Sequence, residues 1–250
     1  MFSPDVVSLK QFYASPLGRA AREHIENAIG QLWPDASGDA LLAVGYPMPY
    51  LGRYLAQAAP AIAGMPAHQG ALYWPAGAAN RVVMMNESEW PLAENSLNRL
   101  LFIHSLENSE QLTWLMQEAW RVLTPGGRLL AVVPNRLSLW ARSSRSPFGY
   151  GRPFSMAQLR DLLGTQNFTI TRTSSALFVP PVRWQWLWRL APKIERIGKT
   201  LCGFLGGVLI IEAEKQLYAP ITQPVLARKR YTRLAPAAKP VMGRRIPLSP

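Results

Sequence analysis

The 250-residue sequence contains little that could bind a metal. It has one cysteine, Cys202, and three histidines that lie far apart, His24, His68 and His104. A single thiol cannot form a disulfide within the chain, and it cannot supply the several thiolates of a zinc ribbon or an iron–sulfur cluster. The histidines show no metal-ligand spacing either. We therefore predict no metal site and a reducing compartment, the cytoplasm.

Long apolar runs are also missing. The longest, residues 201–211, has 11 residues and includes three glycines, whereas a membrane-spanning helix needs about 20 apolar residues. Residues 1–5 lack the basic start and apolar core of a signal peptide. Hydrophobic residues still make up 48% of the chain. The sequence thus predicts a folded protein with a sizeable core and no transmembrane segment.

Acidic residues are missing from the last part of the chain. Residues 219–250 contain seven basic residues, six prolines and no acidic residue, so they account for most of the net charge of +12. We predict a folded domain over residues 1–218 and a basic, proline-rich tail that is disordered, folds on a partner or only aids solubility. No recognition motif accompanies the tail, so nucleic acid is not an expected specific partner.

The rest of the sequence alternates helical and strand patterns. An amphipathic helix is predicted over residues 17–33. Further helices are predicted over residues 51–59, 108–123 and 155–163, and strands over residues 40–44, 61–64, 81–85, 99–103, 128–133, 168–172 and 207–213. Short apolar strands separated by helices indicate an α/β domain with a largely parallel sheet. In such a sheet ligands bind beyond the carboxyl ends of the strands.

The chain also lacks the P-loop, the G-x-G-x-x-G loop, the H-E-x-x-H motif and the G-x-S-x-G motif. The sequence therefore gives little support for a kinase, a dinucleotide dehydrogenase, a zinc protease or a serine hydrolase. Residues 90–135 instead carry WPLAENSLNRLLFIHSLE and, further on, AWRVLTPGGRLLAVVPN. In order and spacing this segment resembles the class I S-adenosylmethionine-dependent methyltransferases of the small-molecule branch.

The resemblance extends more weakly over residues 41–215, and residues 207–215 resemble the last, antiparallel strand of such domains. It implies a Rossmann-like three-layer sandwich of about seven strands, six parallel and one antiparallel. It also implies an enzyme that transfers the methyl group of S-adenosylmethionine to a small molecule, without a metal. By position in the motif, Gly45 and Tyr46 would bind the methionine end of the cofactor, Asn86 and Glu87 the adenine, and His104 would lie beside the transferred methyl group.

Two departures weaken that expectation. Pro47 and Pro49 replace glycines of the family's cofactor loop, and proline adds bulk and has no N–H. The segment after the second strand, which contains His68 and Gln69, has no carboxylate for the ribose hydroxyls. Losing one charge-assisted hydrogen bond costs about 1.5–3 kcal/mol. Binding of S-adenosylmethionine is therefore expected to be weakened or absent.

A tryptophan-rich crossover is predicted over residues 180–200, with Trp184, Trp186 and Trp188 close together. Such a segment can form a lid, a partner surface or an interfacial membrane patch, or it can pack on the core. The altered loop with Pro47 and Pro49 favours an alternative function. The chain would be a catalytically inactive pseudo-methyltransferase that binds a protein partner through this segment or through the basic tail.

Overall fold

The computed structural model describes residues 4–181, 194–195, 198 and 205–216. The helices are α1 (Val6–Ala14), α2 (Pro16–Leu32), α3 (Met48–Leu51), α4 (Leu112–Val122) and α5 (Met156–Thr165). The strands are β1 (Leu41–Gly45), β2 (Ala61–Pro66), β3 (Val82–Met85), β4 (Leu97–Ile103), β5 (Leu123–Pro134), β6 (Phe168–Ala176) and β7 (Val208–Lys215). The three tryptophans of the predicted crossover and the basic tail lie outside the described residues.

The seven strands form one sheet in the order β3-β2-β1-β4-β5-β7-β6. The first five in this order pair in parallel, and β7 is antiparallel to both of its neighbours. Six strands therefore run one way and one runs against them. This confirms the predicted fold class.

Helices cover both faces of the sheet. Because side chains alternate along a strand, Leu41 and Ala43 of β1 join a core with α1 and α2, while Leu42 and Val44 join a second core with α4 and α5. All five residues of β1 are buried. The strand is therefore the centre of a three-layer sandwich, and its carboxyl end points to one edge of it.

Three sequence-based expectations differ from the structure. The helix predicted over residues 51–59 is instead the single turn α3 followed by a 3-10 turn at Gly52–Tyr54. The hydroxyl of Tyr54 donates a hydrogen bond to the carbonyl of Trp33 at 2.9 Å, and this tertiary contact takes over from local helix propensity. The second difference follows in the next paragraph. The third, at the start of α4, is described with the functional site.

The second difference lies between α4 and β5. The sequence predicts a helix that ends at residue 123 and a strand that begins at Arg128. In the structure β5 already begins at Leu123, and the register with β4 shifts between the Leu97–Leu123 pair and the Arg99–Arg128 pair. Gly126, at a φ of +76°, provides the left-handed residue of this bulge.

No helix in the described ranges is long and apolar enough to cross a membrane.

Candidate functional site at the carboxyl edge of β1 and β4

Gly45 ends β1 where β4 passes very close to it. Its φ is +103°, and a Cβ atom added there would lie 2.1 Å from the carbonyl oxygen of Ile103. The next amide, that of Tyr46, donates a hydrogen bond to the same oxygen at 2.9 Å. The structure therefore requires glycine here in order to pack β1 against β4, and the Tyr46 N–H is already used.

His104 follows β4 and is the centre of the site. It is fully buried and adopts a φ of +53°, a conformation that costs a non-glycine residue about 1–3 kcal/mol and is common at functional sites. Its Nε2 atom lies 2.7 Å from the hydroxyl of Tyr13 on α1. Its Nδ1 atom lies 3.4 Å from Oε1 of Glu107. The ring thus connects a phenol chain on one side with a buried carboxylate on the other.

The phenol chain continues to Tyr50, whose hydroxyl donates to that of Tyr13 at 2.8 Å. Tyr13 can then donate its own proton to Nε2 of His104, which leaves the imidazole proton on Nδ1, facing Glu107. Burial raises the pKa of Tyr13 well above its ordinary value, and it raises the pKa of Tyr50 and of Tyr46 as well. These phenols therefore stay neutral and act as hydrogen-bonding groups.

Several buried polar atoms around His104 have no hydrogen-bond partner among the described residues. They are Gln69 Oε1, His104 Nδ1, Ser105 Oγ, both carboxylate oxygens of Glu107 and Asn108 Oδ1. The amide nitrogens of Gln69 and Asn108 both donate to the carbonyl of His104, at 2.9 and 3.3 Å. These two hydrogen bonds fix the orientation of both side-chain amides. The side-chain oxygens of Gln69 and Asn108 therefore remain without a hydrogen-bond donor from the residues that the structure describes. The arrangement therefore offers mainly hydrogen-bond acceptors to a ligand.

Aromatic rings enclose this polar group. Tyr13 stacks on Tyr46 with ring centroids 5.8 Å apart. On the other side, Phe148 lies 4.9 Å from the imidazole of His104 and 6.1 Å from Phe12 of α1. Three segments therefore meet here: α1, the loop after β1 and the connection that follows β5. Together they exclude water from His104.

The predicted adenine residues lie farther along the same edge, after β3. Asn86 is exposed and forms a β-bridge with Glu89. Oε2 of Glu87 accepts hydrogen bonds from Ser109 Oγ, Glu110 N and Gln111 N at 2.9–3.1 Å. A carboxylate at this position stabilises the positive end of α4. Glu87 thus already has a structural role, and an adenine contact remains a prediction for both Asn86 and Glu87.

The start of α4 is the third difference from the sequence-based expectation. Asn108 is predicted to cap a helix over residues 108–123, but α4 begins at Leu112 after Gln111. Asn108 instead turns its side chain toward His104. Glu87, from another strand, takes the capping role because β3 ends beside the first turn of α4.

Tyr13 and Glu107 were not predicted as site residues from the sequence. Helix α1, which carries Tyr13, had a signal: Asp5 accepts a hydrogen bond from Ser8 N as its N-cap, and Val6, Leu9 and Tyr13 follow at helical spacing. For Glu107 there was no such signal, because nothing in a one-dimensional pattern marks a buried carboxylate. Of the remaining residues, His68 is exposed and Gln69 is buried in the site.

Comparisons with known proteins support the fold. No family model and no curated protein matches the sequence, but 676 chains of solved structures match. One is a Thermotoga maritima S-adenosylmethionine-dependent methyltransferase, described as a possible histamine N-methyltransferase, with 16% identity and a TM-score of 0.60 over 84% of this chain and 96% of that one. The chain has the class I methyltransferase fold.

Two further matches show how varied proteins with this fold are. A methyltransferase in complex with the Haloferax volcanii Trm112 methyltransferase activator matches at 13% identity and a TM-score of 0.53, covering 85% of this chain and 99% of that one. The [4+2]-cyclase SpnF matches at 17% identity and a TM-score of 0.51, covering 87% and 98%. The fold alone therefore does not decide the reaction.

No group of three or more histidine, cysteine, aspartate or glutamate side chains that could hold a metal ion occurs in the described part of the chain.

Proposed function

We propose that the chain is an S-adenosylmethionine-dependent methyltransferase that acts on a small molecule. One observation carries the proposal beyond the fold: the buried acceptors around His104, above all the carboxylate of Glu107, lie at the edge where ligands of parallel sheets bind. Glu107 is 1% exposed, and neither of its carboxylate oxygens accepts a hydrogen bond from the described residues, although Nδ1 of His104 lies 3.4 Å from Oε1. Burying a carboxyl group without a hydrogen-bond partner is costly, so this site favours a ligand that brings a donor or a positive charge.

The residues present fit this cofactor in their chemistry. S-adenosylmethionine carries a positive sulfonium, an ammonium group and two ribose hydroxyls, and it supplies an electrophilic methyl group when bound. Glu107 would complement the positive charge, and the free amide oxygens of Gln69 and Asn108 would accept hydrogen bonds. Gly45 and Tyr46 would border the methionine end, and Asn86 and Glu87 the adenine.

The chemistry of the chain's own residues is then positioning and proton transfer. The aromatic rings would exclude water and hold a small acceptor beside His104. A proton released by the acceptor would pass through the Tyr13 hydroxyl to Nε2 of His104, which lies 2.7 Å away. Glu107 would stabilise the resulting imidazolium. His104 is the residue we assign to catalysis.

Calorimetric titration of the full chain with S-adenosylmethionine and S-adenosylhomocysteine tests the proposal. We expect saturable binding that Glu107→Gln weakens about 10- to 100-fold, because a hydrogen bond to a charged group contributes about 1.5–3 kcal/mol. Glu110→Gln is the matched control, since Glu110 is exposed in the same connection and should leave binding unchanged. A folded chain that gives no heat with either ligand at millimolar concentration would contradict the proposal.

A second candidate function rests on the loop after β1. The Tyr46 amide is bonded to Ile103, and Pro47 and Pro49 have no N–H, so this loop offers a cofactor few backbone donors. The chain would then be an inactive pseudo-methyltransferase that binds a protein partner through Trp184, Trp186 and Trp188 or through the tail. One neighbour of this fold is a methyltransferase in complex with a Trm112 activator, which supports the binding of a protein partner in general. Truncation at residue 219 separates the two functions: an enzyme keeps turnover, while an adaptor that uses the tail loses its partner.

A further inference from the structure

The connection between β5 and α5 presents basic and apolar side chains outward beside the site. Its exposed basic residues are Arg136, Arg142, Arg145 and Arg152, and residues 136–155 contain no acidic residue. Leu137 and Leu139 are exposed by 55% and 57%. Exposed leucines within a field of one charge are unusual on a surface that faces only water.

This surface is firmly fixed to the sheet. Trp140 and Phe148 of the same connection are buried and contact each other edge to face at 5.7 Å. The indole of Trp140 donates to the carbonyl of Val179 at 2.8 Å. Farther along, the amide of Arg152 donates to the carbonyl of Glu107 at 2.7 Å. The inward side chains and the backbone thus hold the connection, and the outward side chains of its leucines and arginines take no part in this.

A third exposed leucine precedes the segment that is bonded to the start of this connection. Leu205, 46% exposed, precedes Gly206, whose carbonyl accepts a hydrogen bond from Asn135 Nδ2 at 2.8 Å. Asn135 in turn begins the connection that carries Leu137 and Leu139. Two separate parts of the chain that each expose leucines are therefore joined at Asn135. Within the described residues, no acidic side chain lies within ion-pair distance of the four arginines of this surface.

We propose that this leucine–arginine surface docks the protein on an anionic lipid bilayer. Leucines that enter the headgroup region gain from burial, while the arginines contact lipid phosphates, which is the pattern of proteins bound at membrane interfaces. Nucleic acid would use the arginines but offers no apolar layer for the leucines. The inference does not depend on methyl transfer. It places the bilayer beside the aromatic enclosure of His104, because Phe148 belongs to the same connection.

Flotation of the full chain with vesicles tests this. The vesicles contain phosphatidylcholine alone or phosphatidylcholine mixed with phosphatidylglycerol. We expect binding to the mixed vesicles only. Arg142→Gln with Arg145→Gln should weaken it about 30-fold, at about tenfold or less for each charge near an anionic surface. Leu137→Ser with Leu139→Ser should weaken it by at least about tenfold, because each leucine loses apolar burial.

The control is Arg81→Gln with Met84→Ser, which removes one exposed charge just before β3 and one exposed apolar side chain on β3, the strand at the far edge of the sheet. It should bind like the unchanged chain. The tail is present in every variant, so its contribution is constant. Unchanged binding by the leucine variant would overturn the proposal, and so would equal competition by single-stranded RNA, because either result would mean that charge alone is recognised.

Discussion

At the scale of single residues, Gly45 shows how one position can have two explanations. The resemblance to methyltransferases places it in a cofactor loop. The structure gives a reason that needs no cofactor, since the carbonyl of Ile103 occupies the space of a Cβ atom and φ is +103°. Both requirements point to glycine, so the residue type alone could not separate them.

A substitution at Gly45 should therefore affect folding first. We expect Gly45→Ala to lower the free energy of unfolding by about 3 kcal/mol or more. The alanine would be strained at this positive φ, and its Cβ atom would also clash with main-chain atoms. Gly52→Ala is the control. That residue has a helical φ of −53° and nothing within 4 Å of an added Cβ, so it should be neutral or stabilising by up to about 1 kcal/mol. Denaturant unfolding measures both, and equal effects would contradict this account.

The site itself was predictable only in part at this scale. His104 follows a strand in a recognisable motif, and it does lie at the carboxyl edge of the sheet. Tyr13 and Glu107, which contact its two ring nitrogens, come from a helix that was not predicted and from the turn after β4. Contacts between residues 91 positions apart, as for Tyr13 and His104, leave no local pattern.

At the scale of elements, Glu212 links three of them. This buried carboxylate on β7 accepts hydrogen bonds from Trp33 after α2, at 2.8 Å, and from Thr171 and Arg172 on β6, at 2.8 and 2.6 Å. Burial alone would raise its pKa, but the bonds from Arg172, Thr171 and Trp33 outweigh burial and hold the pKa below the ordinary value of 4.5. The charged form is thus stabilised by folding.

Removal of this carboxylate should loosen β6, β7 and α2 together. We expect Glu212→Ala to lower the free energy of unfolding by about 1–3 kcal/mol at neutral pH, since it leaves the indole N–H of the buried Trp33 without its acceptor. A lowered folded-state pKa gives stability that is present above the unfolded-state pKa and lost as pH falls through the folded-state value. The difference from the unchanged chain should therefore shrink below about pH 4.5.

The neighbouring Glu214→Ala is the control for this measurement. Glu214 is only partly buried, so its loss should change the free energy of unfolding by about 0.5 kcal/mol or less. Thermal unfolding followed across pH reports both variants. A gap between Glu212→Ala and the unchanged chain that stays constant down to strongly acidic pH would show that the charge of Glu212 is not what stabilises the fold.

Strands were predicted better than helices for a physical reason. Each buried strand is a short apolar run, and such a run has few other ways to fold in an α/β chain. The segment of residues 51–59 fails because its conformation depends on a long-range bond from Tyr54. Helix α1 was missed because only Val6, Leu9 and Tyr13 of its nine residues are buried, which is a weak periodic signal.

At the scale of the whole molecule, the site is closed in this conformation. His104 and Glu107 are 0% and 1% exposed, so a ligand can reach them only if a covering element moves. Helix α1 is the best suited. The helix is short and contributes Tyr13 to the site. Its Val6 amide donates a hydrogen bond to the carbonyl of Gln69 at 2.9 Å, so this bond would break when the helix moves away from the site. The central strands cannot open without loss of the sheet.

Hydrogen exchange of the full chain therefore gives a test that follows from this closure. Amides of α1 should exchange through local opening, faster than those of β1 and β4, which exchange by global unfolding. Saturation with S-adenosylhomocysteine should slow exchange in α1, because the closed helix then covers the ligand, while α5 on the opposite face of the sheet serves as the internal reference. If the ligand binds but exchange in α1 is unchanged relative to α5, the helix does not gate the site, and entry must occur on the side of Phe148.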